Sequence, residues 1–202
     1  MGIKFWSRIF LIYCFIFLVV VFTITIWPKE PPDMSSKPEV AEKLNFLAPS
    51  VRGSISKIVI RNDYQHFNDE EAGHCHSAVR RICLRCDEFK KFPWILWHEA
   101  GHAYHTLLDK SGSDFSAKWR SINGGILTDY GGTNYREDIA EYFEHVLLGI
   151  YASFSAFREL GMLGFSEEEL NPFFQKVVLL FEYGFLTWDQ YEQFMDKFYP
   201  AK

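Results

Sequence analysis

The chain has 202 residues, of which 48% are hydrophobic and 18% aromatic, and it carries a formal net charge of -5. This length allows one ordinary domain with additional segments, and the apolar content is sufficient for a packed core. The negative charge and the lack of a basic stripe in the sequence argue against nucleic acid as a partner, because phosphates would not be neutralised.

An uncharged apolar run, Ile9–Trp27, follows Lys4 and Arg8 near the start of the chain. Its nineteen residues are close to the roughly 20 that cross a bilayer as a helix. The preceding basic residues favour a cytoplasmic N-terminus. No small-residue cleavage pattern follows, so we predict an uncleaved signal anchor over residues 1–27. The predicted localisation is a single-pass membrane protein with its folded domain outside the cytoplasm, or a secreted protein if the signal is cleaved.

Residues 28–50 contain five of the eight prolines, mixed with charged residues and serine. This composition predicts a proline-rich linker, followed by one folded domain over residues 51–202. The predicted elements of that domain are a strand over Ser54–Arg61, a polar loop over Asn62–His76, a strand over Ala78–Arg85, a loop over Ile122–Gly132, and helices over Phe92–Asp109, Asn134–Ile150, Phe154–Leu163, Glu167–Phe181 and Trp188–Phe198.

The most informative stretch is an H-E-x-x-H motif whose histidines are His98 and His102. On a helix, positions four apart lie on one face. Both imidazoles can then reach one Zn²⁺, with Glu99 beside the ion to accept a proton. Pro93 suits a first helical turn, so the motif is expected on the helix Phe92–Asp109. The same pattern also occurs by chance in ordinary polar histidines, and a catalytic reading needs a third ligand.

A carboxylate from the predicted helix Asn134–Ile150 is the expected third ligand. Glu137 and Glu141 lie four apart on one face of that helix. One can bind the metal while the other accepts the free N–H of a ligand histidine. The alternative for Glu137 is a capping box with Asn134. His105 lies a further turn along the motif helix, so we do not expect it to reach the same ion.

These motifs resemble those of the lethal-factor-like zinc metallopeptidases, which include the catalytic domain of anthrax lethal factor and secreted proline–proline endopeptidases. The similarity covers about Trp94–Leu148. Besides H-E-x-x-H, it rests on a Tyr-Gly-x-Thr-Asn stretch that begins at Tyr130 and a Glu-x-x-Ala-Glu segment that begins at Glu137. The resemblance implies an α+β, zincin-like metallopeptidase domain in which a small sheet packs on the active-site helix and the C-terminal part is helical, preceded here by the transmembrane helix.

The resemblance also implies a role for each matching residue. His98, His102 and Glu137 match the zinc ligands, Glu99 the general base, Tyr130 the tyrosine that assists at the scissile carbonyl, and Glu141 a carboxylate that supports a ligand histidine. The chain departs from the toxin in three ways: it lacks a delivery domain, it carries the apparent anchor, and it has a shorter segment between His102 and Tyr130. Toxin-like substrates are therefore not implied.

The expected function is a membrane-anchored zinc metalloendopeptidase. Zinc would activate a water molecule for hydrolysis of a peptide bond, Glu99 would take its proton, and Tyr130 would stabilise the oxyanion. The alternative is an exported, non-catalytic interaction module with a structural zinc site. Glu99 favours the enzyme, because a structural site has no use for a general base. The expected partners are a protein or peptide substrate and, through the N-terminal helix, the membrane.

Three cysteines, Cys75, Cys83 and Cys86, cluster in the sequence near His74 and His76. One disulfide, free thiols and a second metal site are all compatible with this composition. The sequence leaves the three alternatives open.

Overall fold

The computed structural model describes residues 32–62, 67, 72–76, 78–152 and 167–199. Over these residues the chain forms eight α-helices and three strands, which confirms the predicted α+β class. The elements are α1 Pro38–Asn45, α2 Pro49–Ser54, β1 Lys57–Arg61, β2 Gly73–His76, β3 Arg81–Arg85, α3 Cys86–Lys91, α4 Ile95–Lys110, α5 Phe115–Ser121, α6 Tyr135–Ala152, α7 Glu167–Glu182 and α8 Trp188–Phe198. A 3₁₀ turn, Gly131–Thr133, precedes α6.

The three strands form one mixed sheet in the order β1-β3-β2. Strand β1 pairs parallel with β3, and β2 pairs antiparallel with it. Ile82, Cys83 and Leu84 are all buried, as expected for a central strand that is covered on both faces. Strand β2 lies in the segment Asn62–His76, which the sequence predicted as a loop. That prediction was wrong because a short, polar edge strand lacks the apolar alternation that reveals a strand.

Helix α4 packs against α6, α2 and the strands β2 and β3. Trp97 and Ala100 on α4 are fully buried. Four of the α6 residues that the helical spacing predicted to face the core are also buried, namely Ile139, Phe143, Val146 and Leu147. The H-E-x-x-H motif is therefore held between the sheet and α6.

Helix α1 lies within the predicted linker, residues 28–50, and α2 begins at its end; both belong to the packed unit. Pro38 and Pro49 open these helices, because the first helical position does not use the N–H that proline lacks. Val40 and Leu47 are buried in the core. These prolines mark helix starts instead of an extended linker, and the packed unit begins at Asp33.

The prediction of a transmembrane helix is contradicted, and with it the single-pass membrane localisation. In the part of the chain that the structure describes, no helix is both long enough and apolar enough to cross a membrane. The run Ile9–Trp27, to which the prediction referred, lies outside the described residues.

Two short helices, α3 and α5, were not predicted. They contain six and seven residues, which is too short for the apolar periodicity that identifies a helix in a sequence. The predicted helix Phe154–Leu163 lies outside the described residues.

Candidate metal centre

Helix α4 presents both histidines of the motif on one face. It begins at Ile95 and ends at Lys110, close to the predicted bounds Phe92 and Asp109. The Nε2 atoms of His98 and His102 are 3.2 Å apart. The four-residue spacing therefore brings the two imidazoles together as the helix geometry requires.

Glu137 reaches both histidines because α6 packs closely on α4. A Cβ atom at Gly101, which lies between the two histidines, would be 3.2 Å from the Cα atom of Ala140, so a side chain here would push the helices apart. The Oε2 atom of Glu137 is 3.2 Å from His98 Nε2 and 3.1 Å from His102 Nε2. Close helix packing thus adds a carboxylate to the pair of imidazoles.

The start of α6 decides between the two readings of Glu137. The backbone N–H groups of Arg136 and Glu137 donate to Asn134 Oδ1 at 3.0 and 3.2 Å, so Asn134 caps the helix. The Glu137 carboxylate is directed at the two histidines. The capping-box alternative therefore accounts for the backbone contact of residue 137 but not for its side chain.

The three converging atoms have the spacing of ligands around one metal ion. They lie 3.1–3.2 Å from one another. Ligands about 2.0–2.1 Å from a tetrahedral ion would be about 3.3 Å apart, so the two spacings agree closely. Protons on both imidazole Nε2 atoms would satisfy the carboxylate but leave two N–H groups facing each other. One cation satisfies all three lone pairs. His98, His102 and Glu137 can therefore hold a metal ion.

The charges around the group also favour a cation. Burial disfavours charge on His98, but contacts with Glu137, Glu141 and Glu144 outweigh it and raise the pKa of His98 well above its ordinary value. Burial of Glu137 acts to raise its pKa, but the contacts with His102 and His98 dominate and hold that pKa well below its usual range. The Glu137 carboxylate thus stays ionised and places a negative charge beside the two histidines.

The other ring nitrogen of His98, Nδ1, faces two further carboxylates of α6. It is 3.4 Å from Glu141 Oε1 and 3.2 Å from Glu144 Oε2. The Thr128 hydroxyl donates to Glu141 Oε2 at 2.8 Å, which fixes that carboxylate in place. A carboxylate that accepts the Nδ1–H proton keeps the Nε2 lone pair directed at the ion. The supporting role predicted for Glu141 is thus shared with a second residue.

The sequence analysis missed Glu144. Together with Glu137 and Glu141 it forms an i, i+4, i+7 series, which is the spacing of one helix face, and this signal could have revealed it. His98, Glu141 and Glu144 are also close enough to hold a cation. An imidazole that bound ions through both nitrogens would have to lose both protons, so the two groups would not both hold an ion through His98.

Removing each carboxylate of α6 in turn should give a graded loss of metal. We expect Glu137→Ala to lose most of the bound metal, because Glu137 supplies a ligand atom. Glu141→Ala and Glu144→Ala should each weaken binding by about 10–100-fold, because they only orient His98. Metal analysis after dialysis against chelators of graded strength measures the difference.

The matched control is Glu192→Ala, which removes an exposed carboxylate from α8 and should leave the metal content unchanged. Circular dichroism of each variant checks that the fold is retained. A larger loss for Glu141→Ala than for Glu137→Ala would make Glu141 the ligand and contradict this assignment.

Glu99 and Tyr130 lie beside the ligand group. Glu99 is 5% exposed, and a Cβ atom at Gly73 in β2 would be 3.2 Å from Glu99 Oε1, so glycine makes room for this carboxylate. The rings of Tyr130 and His98 have centroids 5.9 Å apart. Burial, together with the charge of Glu137, raises the pKa of Tyr130, so its hydroxyl keeps its proton at neutral pH.

Two clefts meet at this group. The polar cleft has a volume of about 300 Å³, and its own lining includes His74, Cys75, His102, His105, Thr106 and Arg136. The apolar cleft has a volume of about 290 Å³, and its own lining includes Ala72, Phe92, Trp94, Ile95, Glu141 and Glu144. Both clefts are lined by Gly73, His98, Glu99 and Tyr130. All three ligand residues line the polar cleft, and His98 also lines the apolar cleft.

No protein-family model, curated protein or solved structure matches the chain. The resemblance to the lethal-factor-like metallopeptidases therefore rests on the motifs themselves. The structure brings the residues that carry this resemblance, Glu99 and Tyr130 included, to one place.

His105 is not part of the ligand group, as the sequence analysis expected. Its Nε2 atom is 2.8 Å from Ser116 Oγ and 3.4 Å from Asp109 Oδ2. Burial lowers the pKa of His105 to about 4 against the opposing charge of Asp109. His105 is thus a neutral, hydrogen-bonded core residue that borders the polar cleft.

A second group of side chains on β2 and β3 can also hold a metal ion, namely His74, His76 and Cys83. Strand pairing sets His74 opposite Cys83, and the Nε2 atoms of the two histidines are 2.9 Å apart. Cys75, Cys83 and Cys86 are free thiols in the structure. Of the three alternatives for the cysteines, the disulfide is therefore not formed.

Proposed function

We propose that the protein is a zinc-dependent endopeptidase. The observation that carries the proposal is the convergence of His98, His102 and Glu137 beside Glu99 and Tyr130, where two clefts meet. A ligand group, a proton acceptor and a hydroxyl donor are the parts that metal-assisted hydrolysis needs. Two imidazoles and one carboxylate at these separations suit zinc, which prefers nitrogen and oxygen ligands in a tetrahedral arrangement.

The arrangement favours a catalytic ion over a structural one. Structural zinc sites are closed by four protein ligands, whereas catalytic sites use three and leave one position open. Three ligand atoms converge here among the described residues, and they border open clefts. Glu99 lies beside the ligand group without being a member of it, and a structural site would have no use for a carboxylate there. The non-catalytic module with a structural zinc ion lacks comparable support.

The chain supplies each group that the reaction requires. When bound, zinc would lower the pKa of a coordinated water molecule and polarise the substrate carbonyl. Glu99 is placed to take a proton from the attacking water and to pass it to the leaving amine. The Tyr130 hydroxyl would donate a hydrogen bond to the carbonyl oxygen as that oxygen gains negative charge. Glu141 and Glu144 would accept the Nδ1–H proton of His98, which leaves Nε2 free for the ligand role.

Strand β2 offers a template for the backbone of a peptide substrate. It is the last strand in the order β1-β3-β2, and among the described strands it pairs only with β3. Gly73 in this strand lines both clefts. An extended peptide can add to such an edge through main-chain hydrogen bonds, with its side chains directed to different pockets. This edge supports a peptide as the substrate.

A zincin-like fold is part of the proposal. The small sheet packs on the motif helix α4, and the chain beyond it is largely helical, which is the arrangement that the resemblance implies. Membership of the lethal-factor-like metallopeptidases is supported by these features together with the motifs. The substrate of any one member does not follow from it.

Tyr130→Phe should slow turnover while leaving the zinc content and the fold intact. The change deletes one hydrogen bond that matters mainly when the carbonyl oxygen carries charge. Loss of one such donor costs about 10²–10³ in kcat. The measurement is kcat together with the thermal midpoint of wild type and variant.

Tyr199→Phe, just after the end of α8, is the matched control, since Tyr199 is exposed and lines neither cleft beside the ligand group. It should change neither quantity. A lowered thermal midpoint with unchanged kcat for Tyr130→Phe would assign Tyr130 to loop packing and remove it from the mechanism.

The direct test of the function uses the full chain. Bound metal is identified by elemental analysis, and cleavage of a mixed peptide library is followed by mass spectrometry. We expect at least one zinc ion per chain, because His74, His76 and Cys83 can hold a second ion, and cleavage that stops with a chelator and returns when zinc is added. A zinc-loaded, folded protein that cleaves no peptide would overturn the proposal.

A further inference from the structure

The two clefts beside the ligand group differ in chemistry. In the apolar cleft, Phe92 is 45% exposed, and its ring centroid lies 5.6 Å from that of Trp94. Trp94 and Ile95 precede His98 by four and three residues, one turn of helix, so they lie next to the ligand. The exposed ring of Phe92 and the half-buried ring of Trp94 therefore offer apolar surface beside His98 that a bound side chain can cover.

The polar cleft contains a cation. Among the described residues that line either cleft, Arg136 is the only lysine or arginine. Its side chain is exposed, and no ion pair joins it to a carboxylate of the described residues. Its Nε atom lies 3.4 Å from the hydroxyl of Tyr135, and its guanidinium lies 5.9 Å from the centre of the Tyr135 ring. The guanidinium therefore remains available to a ligand.

The position of Arg136 is not explained by the stability of α6. It lies in the first turn of that helix, directly before the ligand Glu137. The helix dipole disfavours a positive charge there. A guanidinium binds a carboxylate through two parallel hydrogen bonds, so an acidic side chain is the ligand that suits it.

Resting on the peptidase function proposed above, we propose a substrate class. The substrate is a peptide with an acidic side chain on one side of the scissile bond and a bulky apolar side chain on the other. Arg136 binds the acidic side chain, and Phe92 with Trp94 binds the apolar one. Because Gly73 of the edge strand β2 lines both clefts, one extended peptide can reach both surfaces while its scissile bond lies beside Glu99.

The charge half of the proposal is tested by reversing Arg136. We compare peptides that carry glutamate or lysine on one side of the cleavable bond and phenylalanine on the other. The charged residue is placed before the bond in one set and after it in the other. Wild type should prefer glutamate over lysine by about tenfold in kcat/KM, and Arg136→Glu should reverse that preference. Arg120→Glu is the matched control: Arg120 also lies near the ring of Tyr135, 5.1 Å away, but it does not line either cleft. This control should keep the preference for glutamate.

The apolar half is tested by shortening Phe92. Phe92→Ala should lower kcat/KM about tenfold for the phenylalanine peptides and leave matched serine peptides unchanged. Leu107→Ala is the control, since Leu107 is an exposed apolar residue of helix α4 and lies outside both clefts. Equal losses for the phenylalanine and serine peptides would overturn this half.

A binding measurement separates this inference from the peptidase function. Labelled peptides are titrated into zinc-loaded Glu99→Gln protein, with and without Arg136→Glu, and fluorescence anisotropy reports binding. If wild type cleaves the peptides but Arg136→Glu leaves the ratio of kcat/KM for glutamate and lysine peptides unchanged, the substrate class is overturned and the peptidase function stands. If wild type cleaves no peptide, but Glu99→Gln protein binds glutamate peptides selectively and Arg136→Glu reverses that selectivity, the peptidase function is overturned. Recognition of an acidic side chain by Arg136 is then supported. If the protein neither cleaves nor binds these peptides, both the peptidase function and the substrate class are overturned.

Discussion

Glu99→Gln is expected to lower peptide turnover by about 10²–10⁴-fold while zinc remains bound. Glu99 is buried beside the two histidines of α4, but it is not a member of the ligand group. Glutamine keeps the size and polarity of the side chain, yet it cannot accept a proton from water. The loss should therefore appear in kcat and kcat/KM alike, with KM nearly unchanged. Steady-state kinetics and the zinc content of the same preparation measure the result.

Two variants sharpen this test. Glu99→Asp keeps a carboxylate but withdraws it by one methylene group, so its kcat should lie between those of wild type and Glu99→Gln. Glu192→Gln makes the same chemical change on the exposed surface of α8 and should be indistinguishable from wild type. Normal turnover by Glu99→Gln would exclude a proton-accepting role. Loss of zinc from it would make Glu99 part of the metal site.

Lys176→Met is expected to lower the free energy of unfolding by about 3–5 kcal/mol. Lys176 and Asp138 form an ion pair at 2.7 Å, with 2% and 5% of the two residues exposed. Burial lowers the pKa of Lys176 and raises the pKa of Asp138 against their mutual attraction. Each charge is thus held inside the protein at a cost, and removal of one leaves the other without compensation. Chemical denaturation of the two proteins measures the difference.

The substitution Lys176→Met should also affect the candidate metal centre. The Lys176 ammonium group donates to the carbonyl of Gly125 at 2.7 Å, and the Tyr142 hydroxyl donates to the same carbonyl. These bonds anchor the start of the segment that leads to Thr128 and Tyr130. We therefore expect Lys176→Met to lower kcat as well as stability, without removing any group from the reaction.

A double variant separates the unpaired charge from simple loss of packing. Adding Asp138→Asn to Lys176→Met removes the uncompensated carboxylate while keeping an acceptor for the Trp119 N–H group, which donates to Asp138 at 2.7 Å. The double variant should recover much of the lost stability. Lys118→Met breaks an exposed ion pair with Asp114, 3.2 Å long, and should cost far less stability than Lys176→Met, because solvent screens the exposed pair. An equal loss for Lys118→Met and Lys176→Met would contradict the argument from burial.

Long helices with a clear apolar period were predicted well. Helix α8 has the predicted bounds, Trp188–Phe198, and α4 and α6 differ from their predictions by a few residues at most. Strand β2 and helix α1 were missed for the opposite reason. The residues of β2 are polar, and α1 opens with a proline, so their own composition indicates a loop. Only pairing with β3 and burial of Val40 against the core make these segments ordered parts of the fold.

The sequence by itself determined the local part of the candidate site. The four-residue spacing of His98 and His102 places them on one face of any helix, and the same geometry aligns Glu137 and Glu141 on another. The resemblance named these residues without showing how the two helices meet.

Only the tertiary structure decided which carboxylate meets which nitrogen. The close contact of Gly101 with Ala140 brings Glu137 to the Nε2 atoms of the two histidines and Glu144 to Nδ1 of His98. It also decided that Lys176 is buried against Asp138, 38 residues away in the chain, and that Arg136 and Phe92 line different clefts. Helix spacing is a property of neighbouring residues, whereas these contacts depend on how distant segments pack, and no local pattern encodes that packing.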